Sequence, residues 1–130
     1  MDCKKALEAS GGDFDRAIEI IHEQGFSKYA KRAGRETGAG LIESYIHNER
    51  IGVLLEMRAE TDFVVRSEPF RKLIKEVAMQ ISAAAPKNID DLLAQPYIRD
   101  ESKTVHEVIK QTIAQVGENI QVAQFYRIAI

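Results

Sequence analysis

Three histidines, one cysteine and a few strand carboxylates are the side chains from which this chain could build a catalyst or a metal site. His22, His47 and His106 stand far apart, none with a second histidine or a cysteine at ligand spacing. Cys3 alone makes neither an internal disulfide nor a zinc site, and it reads as a small residue in a first helical turn. No Gly-x-Ser-x-Gly turn or similar nucleophile motif occurs. Glu43, Glu56 and Glu60 fall in strand-forming segments, where solvation accounts for them. "SKYAKRAGRETGAG" (27–40) sets Lys28, Lys31, Arg32 and Arg35 among glycines, which suggests a phosphate-cradling loop. It lacks the Gly-Lys-Ser/Thr ending and the preceding strand, so a solvated linker explains it better. No covalent chemistry, metal or cofactor is expected.

One stretch resists so plain an account. In "AETDFVVRSEP" (59–69) an acid, Asp62, stands beside a bare aromatic, Phe63, at the mouth of a helix whose apolar face is already complete. Two readings stay open. In the first, Thr61 or Asp62 caps a short turn, Phe63 and Val64 bury, and Pro69 restarts the helix. In the second, the pair meets a partner: the acid competes for a cation or a hydrogen bond, and the ring wedges into an apolar slot.

Composition narrows the choice. The 130 residues are 45% hydrophobic and 29% charged, enough for one domain with a real core. A net charge of −2 gives no support to a nucleic-acid binder working through a basic face. No apolar run approaches a membrane span, and "MDCKKALEAS" has no apolar centre of the signal-peptide kind. Cysteine usage fits a reducing compartment.

The elements that must position these residues follow from periodicity. Residues 1–27 read as two short helices: Asp2 caps one carrying Ala6 and Leu7, and Asp13 caps another with Phe14, Ala17, Ile18 and Ile21 on one face. Each stripe wants a further partner, so either an additional helix before them or a partner elsewhere is expected. A connector, 28–40, leads to an α+β domain over 41–130. There "LIESYIHN" (41–48) and "RIGVLLEMRAE" (50–60) alternate as strands of a hairpin closed by Asn48-Glu49. A helix follows Ser67, with Phe70, Leu73, Ile74, Val77, Ala78 and Ile81 on one face. Residues 87–103 read as irregular apart from a turn of helix at "IDDLLAQ". Thr104 opens a second helix, closed by Gly117. In the final strand Ile120, Val122, Tyr126, Ile128 and Ile130 alternate with Gln121, Ala123, Phe125, Arg127 and Ala129. The expected fold is a three-stranded antiparallel sheet with helices on one face. Ile42, Ile46, Leu54, Ala123 and Phe125 are then left for the other face, and an exposed apolar sheet face implies a partner.

Three segments resemble a known family. "EMRAETDFVVR" (56–66) is similar to the signature of elongation factor Ts: Glu, an aliphatic, Asn, Cys, an acid or amide, then Thr-Asp-Phe-Val. "MDCKKAL" (1–7) resembles that family's other signature, and "GENIQVAQF" (117–125) its last strand. Arg58 and Ala59 depart from the usual Asn and Cys, and the segment that precedes Met1 in the family's first motif has no counterpart here.

The resemblance implies a guanine-nucleotide exchange factor for elongation factor Tu, without covalent chemistry. It implies that Thr61, Asp62, Phe63 and Val64 disturb the partner's magnesium site beside GDP. It also implies a ubiquitin-associated-like lobe at 1–27 that docks through Met1, Lys4 and Leu7. The bacterial cytoplasm is the expected setting, rather than an organellar matrix or stroma. The sheet face, with some of Ile42, Leu54, Ala123 and Phe125, is expected to pair with a second copy. Two rivals remain: a binding and dimerisation module without exchange activity, and a small hydrolase, for which no constellation is found.

Overall fold

A computed structural model describes residues 34–130. Strand β1 (Ala39–His47) and strand β2 (Ile51–Ala59) form an antiparallel hairpin, and β5 (Ile120–Ala129) pairs antiparallel with the far edge of β2, giving the order β1-β2-β5. Between β2 and β5 run a four-residue helix α1 (Asp62–Val65), helix α2 (Glu68–Ala84), a short helix α3 (Ile89–Ala94), a small hairpin of β3 (Pro96–Tyr97) and β4 (Asp100–Thr104), and helix α4 (Val105–Val116). The fold is the α+β class read from the sequence.

Local chemistry explains most of these elements. Asn48 and Glu49 both take positive φ, 51° and 60°, and the Arg50 N–H donates to the His47 carbonyl at 3.1 Å. That is the left-handed two-residue turn whose twist matches the strands. β1 begins at Ala39, earlier than expected, because Gly40 lies against β2. A Cβ there would meet the Met57 carbonyl oxygen at 2.7 Å. The glycine at the end of "TGAG" therefore serves close strand approach.

The core lies between α2 and the inner face of the sheet. Val53, Leu55, Met57 and Ala59 alternate inward along β2 to meet Phe70, Leu73, Ile74, Val77 and Ile81 of α2. α4 adds Val105, Ile109 and Ile113, and β5 adds Ile120. At about 25 cal/mol per Å² of buried apolar surface, burial of these side chains is the main stabilising contribution.

Two expectations need correction. Residues 87–103 are ordered: Gln80 is fully buried on α2, its amide donates to Gln95 Oε1 and the Pro96 carbonyl, both at 3.1 Å, and its oxygen accepts from Ile98 N–H at 3.0 Å. One polar side chain thus pins the segment that hydrophobic period could not reveal. The simple alternation along β5 also fails. Glu56 pairs with Gln124 but Met57 with Val122, so Ala123 is the extra residue of a β-bulge. Beyond the bulge the faces exchange. Phe125 turns inward beside Leu55 and is half-buried, while Tyr126 and Ile128 point outward with Ile42, Ile46 and Leu54.

Candidate functional site

The strand-to-helix corner at 60–66 is built from Thr61 outward. Thr61 is extended and its Oγ1 accepts from the Val64 N–H at 3.4 Å, the N-cap bond of α1. The Val65 N–H bonds the Thr61 carbonyl at 3.2 Å, and the Arg66 N–H the Asp62 carbonyl at 3.1 Å. Ser67 then turns the chain: its Oγ donates to the Val64 carbonyl at 2.6 Å and α2 begins at Glu68. A single helical turn has almost no stability of its own. Val64 and Val65, only 4% and 3% exposed, anchor it in the core.

Phe63 lies on the opposite side of that turn and is 85% exposed. The reading in which both Phe63 and Val64 bury is therefore half right: the single turn has one inward side, and Val64 and Val65 occupy it. Asp62 stands beside the ring, its carboxylate 2.8 Å from Arg66 Nε, with both side chains largely in solvent. Water screens such a pair heavily, and it is worth roughly 0–1 kcal/mol.

A second contact set holds the corner from across the chain. The Glu118 carboxylate accepts from the Thr61 N–H at 2.9 Å and from its hydroxyl at 2.7 Å. Reciprocally, the Glu60 carboxylate accepts from the Asn119 N–H at 2.6 Å. Asn119, buried, donates its amide to the Arg35 carbonyl at 2.9 Å, and the Arg35 guanidinium lies 3.8 Å from Glu60. Periodicity alone makes Glu60 a solvated strand acid and does not single out Glu118. The only available signal is that an acid follows a helix-ending glycine.

The other candidates are dispersed. His47 sits exposed at the hairpin tip, within 3.1 Å of the Tyr45 hydroxyl and 3.3 Å of the Asn48 amide. His106 is half-buried on α4, and burial, then Lys110, lowers its pKa. Glu43 is half-buried on the inner face of β1. Glu56 lies on the outer sheet face, where hydrogen bonds from Gln124 and Arg58 lower its pKa. Among the described residues no three His, Cys, Asp or Glu side chains gather where they could hold a metal ion. Ala59, one of the two departures from the family signature, is fully buried, and Arg58 is bonded to Glu56 at 2.7 Å. Met1, Cys3, Lys4, Leu7 and His22 lie outside the described residues.

Fold and corner together define an α+β domain that presents an exposed ring and an acid at the joint between sheet and helix. The model of the family described as "Elongation factor TS" matches residues 60–130. The elongation factor Ts of Rippkaea orientalis is 42% identical over 177 aligned positions, covering all of this chain and 71% of its own length. That of Thermodesulfovibrio yellowstonii is 37% identical, with all of this chain and 87% of its own length covered. That of Nostoc sp. is 45% identical over 131 positions, 41% of its length. The chain belongs to the elongation factor Ts family, a family of translation elongation factors. No helix among the described residues is long and apolar enough to cross a membrane.

Proposed function

We infer that this chain promotes release of GDP from elongation factor Tu, by setting the Thr61–Val64 corner against the partner's nucleotide site. The observation that carries the reading is Phe63: a phenylalanine 85% exposed on a turn whose two neighbouring valines are buried. Leaving such a ring in water forfeits roughly 1.5–3 kcal/mol that burial would supply. Val64 works as the anchor of the tetrad, Thr61 as its cap, Phe63 as a wedge, and Asp62 as a carboxylate that competes for the magnesium or its ligands.

Such a factor needs no covalent step. If it binds nucleotide-free elongation factor Tu better than the GDP-bound form, it must weaken GDP binding by the same ratio. Moving a state from rare to dominant takes about 5 kcal/mol of differential binding. In this reading residues 1–27 form a ubiquitin-associated-like lobe that docks on the partner through Met1, Lys4 and Leu7, the connector is 28–40, and 41–130 is the exchange and dimerisation core. The working place is the bacterial cytoplasm.

A second copy covers the outer sheet face. Ile42, Ile46, Leu54, Tyr126 and Ile128 are all exposed there, and Gly52 lies between Ile46 and Ile128 in register. The glycine's lack of a side chain leaves an apolar slot of about 170 Å³ lined by Ile46, Leu54, Tyr126 and Ile128. Sheet-to-sheet pairing would bury on the order of several hundred Å² per chain, within the range of stable interfaces. Sedimentation should show a dimer at tens of micromolar that Leu54→Glu dissociates; a wild-type monomer at that concentration would remove this part.

The exchange reading is tested by loading elongation factor Tu with a fluorescent GDP and following its release with and without the chain. A rate unchanged at saturating chain would leave only a binding and dimerisation module.

A further inference from the structure

We propose that Glu118 is a positioning residue for the exchange surface: it holds the Thr61–Phe63 corner in the shape that the partner meets. The proposal rests on the exchange reading above and adds to it a residue far from Phe63 in sequence.

A helix that starts on threonine is commonly closed by a Glu three residues later, whose carboxylate reaches back to the capping residue's own N–H. At this corner the third position is Val64, which the core needs as an anchor. The missing carboxylate is supplied by Glu118, whose Oε1 accepts the Thr61 N–H at 2.9 Å. Its Oε2 accepts a hydrogen bond from the Thr61 hydroxyl at 2.7 Å. With its proton committed to Glu118, the hydroxyl oxygen presents a lone pair to the Val64 N–H, which it receives at 3.4 Å. Glu118 therefore sets the orientation of the cap as well as its position.

The contact is locked in both directions. While Glu118 holds residue 61, Glu60 holds the N–H of residue 119 at 2.6 Å, so that two neighbouring pairs clasp each other across the end of the sheet. These bonds are charge-assisted, roughly twice as strong as neutral ones. Gly117 directs the clasp: at φ 81° it ends α4 in the left-handed region, where a residue with a Cβ is strained, and the chain reverses to bring residue 118 to the corner.

Positioning matters here because α1 has only four residues and its exposed ring contributes nothing to holding it. A wedge free to wander must be ordered when it binds, and that ordering is lost from the interaction.

The test combines Glu118→Ala, Glu118→Gln and Phe63→Ala in the full chain, with release of fluorescent GDP from elongation factor Tu and amide hydrogen exchange as readouts. Glu118→Ala should slow release by at least about fivefold, and Glu118→Gln, which keeps an acceptor for the Thr61 N–H, by less than about twofold. In the free protein, Glu118→Ala should raise exchange at the Val64–Arg66 amides by roughly tenfold while the α2 amides keep their protection. In the Phe63→Ala background it should add no further loss, since its effect passes through the ring. A Glu118→Ala variant as fast as wild type, beside a slow Phe63→Ala, overturns the proposal and leaves the exchange reading standing. So does an additive loss, which marks a general destabilisation. Wild-type chain that fails to accelerate release overturns both.

Discussion

Helices α1 and α4 both start on a threonine, and the two starts are built differently. At Thr104 the cap is local: its Oγ1 accepts from the Glu107 N–H at 3.2 Å, and the Glu107 carboxylate lies 3.4 Å from the same hydroxyl. The first helical residue, Val105, is buried, and its N–H bonds the Gln95 carbonyl at 3.0 Å. At Thr61 the third residue is a core valine, the carboxylate comes from Glu118, and the second helical residue, Phe63, is a bare ring in water. The chain at Thr104 uses its local sequence to start a helix and hide it. At Thr61 a residue distant in sequence supplies the carboxylate, and Phe63 two positions on is left exposed. On the exchange reading, that difference separates an element that carries the fold from one that meets the partner.

Phe63 and Phe70 put the difference to its hardest test. Phe70 is fully buried in the first turn of α2. Phe70→Ala should cost ~3–5 kcal/mol of stability, while exchange per folded molecule falls little. Phe63→Ala should cost less than about 1 kcal/mol yet slow GDP release at least tenfold, about 1.4 kcal/mol of lost transition-state stabilisation. Denaturant titrations beside release kinetics would decide it. A Phe63→Ala protein that melts early and exchanges normally would return the ring to a structural role.

The Thr104 side also carries a titration that should matter at alkaline pH. Pro96 pairs with Thr104, and the next residue, Tyr97, is buried with its hydroxyl donating to Glu76 at 2.6 Å. Burial first, then that bond to Glu76, pushes the phenol up to about 12. Because the folded pKa is the higher one, this stabilisation is fully present below pH ~10 and is lost as pH rises towards ~12. Its size is bounded by the shift at about 2–3 kcal/mol. Urea midpoints between pH 9 and 12 should fall more steeply for wild type than for Tyr97→Phe (roughly the range set by those pKa values). Parallel curves would mean that the phenol ionises without loosening this end.

Much of this architecture is legible in the sequence, because it is written locally. Asn48-Glu49 between alternating runs marks the hairpin, Ser67 and Pro69 the start of α2, and Thr104 and Gly117 the two ends of α4. What escapes has no local signature. The bulge at Ala123 inverts the faces of β5, yet both faces carry apolar residues there, so alternation reads the same with or without it. Gln80 organises residues 95–98 through three hydrogen bonds that no period reveals. At the corner the composition is visible, Asp62 beside Phe63, but the exposure of the ring and the reach of Glu118 depend on tertiary packing.

The two caps sharpen the comparison at a smaller scale. Thr104→Ala and Thr61→Ala each remove one side-chain cap, typically ~1 kcal/mol. Thr61→Ala strips from Glu118 a hydroxyl donor at 2.7 Å, whereas Thr104→Ala strips from Glu107 one at 3.4 Å, so Thr61→Ala should cost more, by up to roughly the 0.5–1.5 kcal/mol of a hydrogen bond. Only Thr61→Ala should slow GDP release. Equal losses of stability from the two variants would show that Glu118 adds no more to its cap than Glu107 adds to the other.

The smallest expected effect concerns Arg66, which stands 2.8 Å from Asp62 four residues away on the surface. With side chains 74% and 68% exposed, the pair gains little from Coulomb attraction, and Arg66→Ala should change stability by no more than about 0.5 kcal/mol. Its effect on exchange separates two roles for the acid. If Asp62 reaches for a cation or its ligands on the partner, Arg66 is a competitor, and removing it should speed release by up to about twofold, the kinetic equivalent of a weak surface pair. Added salt should erase the gain, because it already screens the pair in wild type. If Arg66 instead aims the carboxylate, Arg66→Ala should slow release and salt should slow wild type in the same direction. Release rates for the two proteins at low and high salt would distinguish these outcomes, and a salt-sensitive loss would make Arg66 part of the corner rather than its competitor.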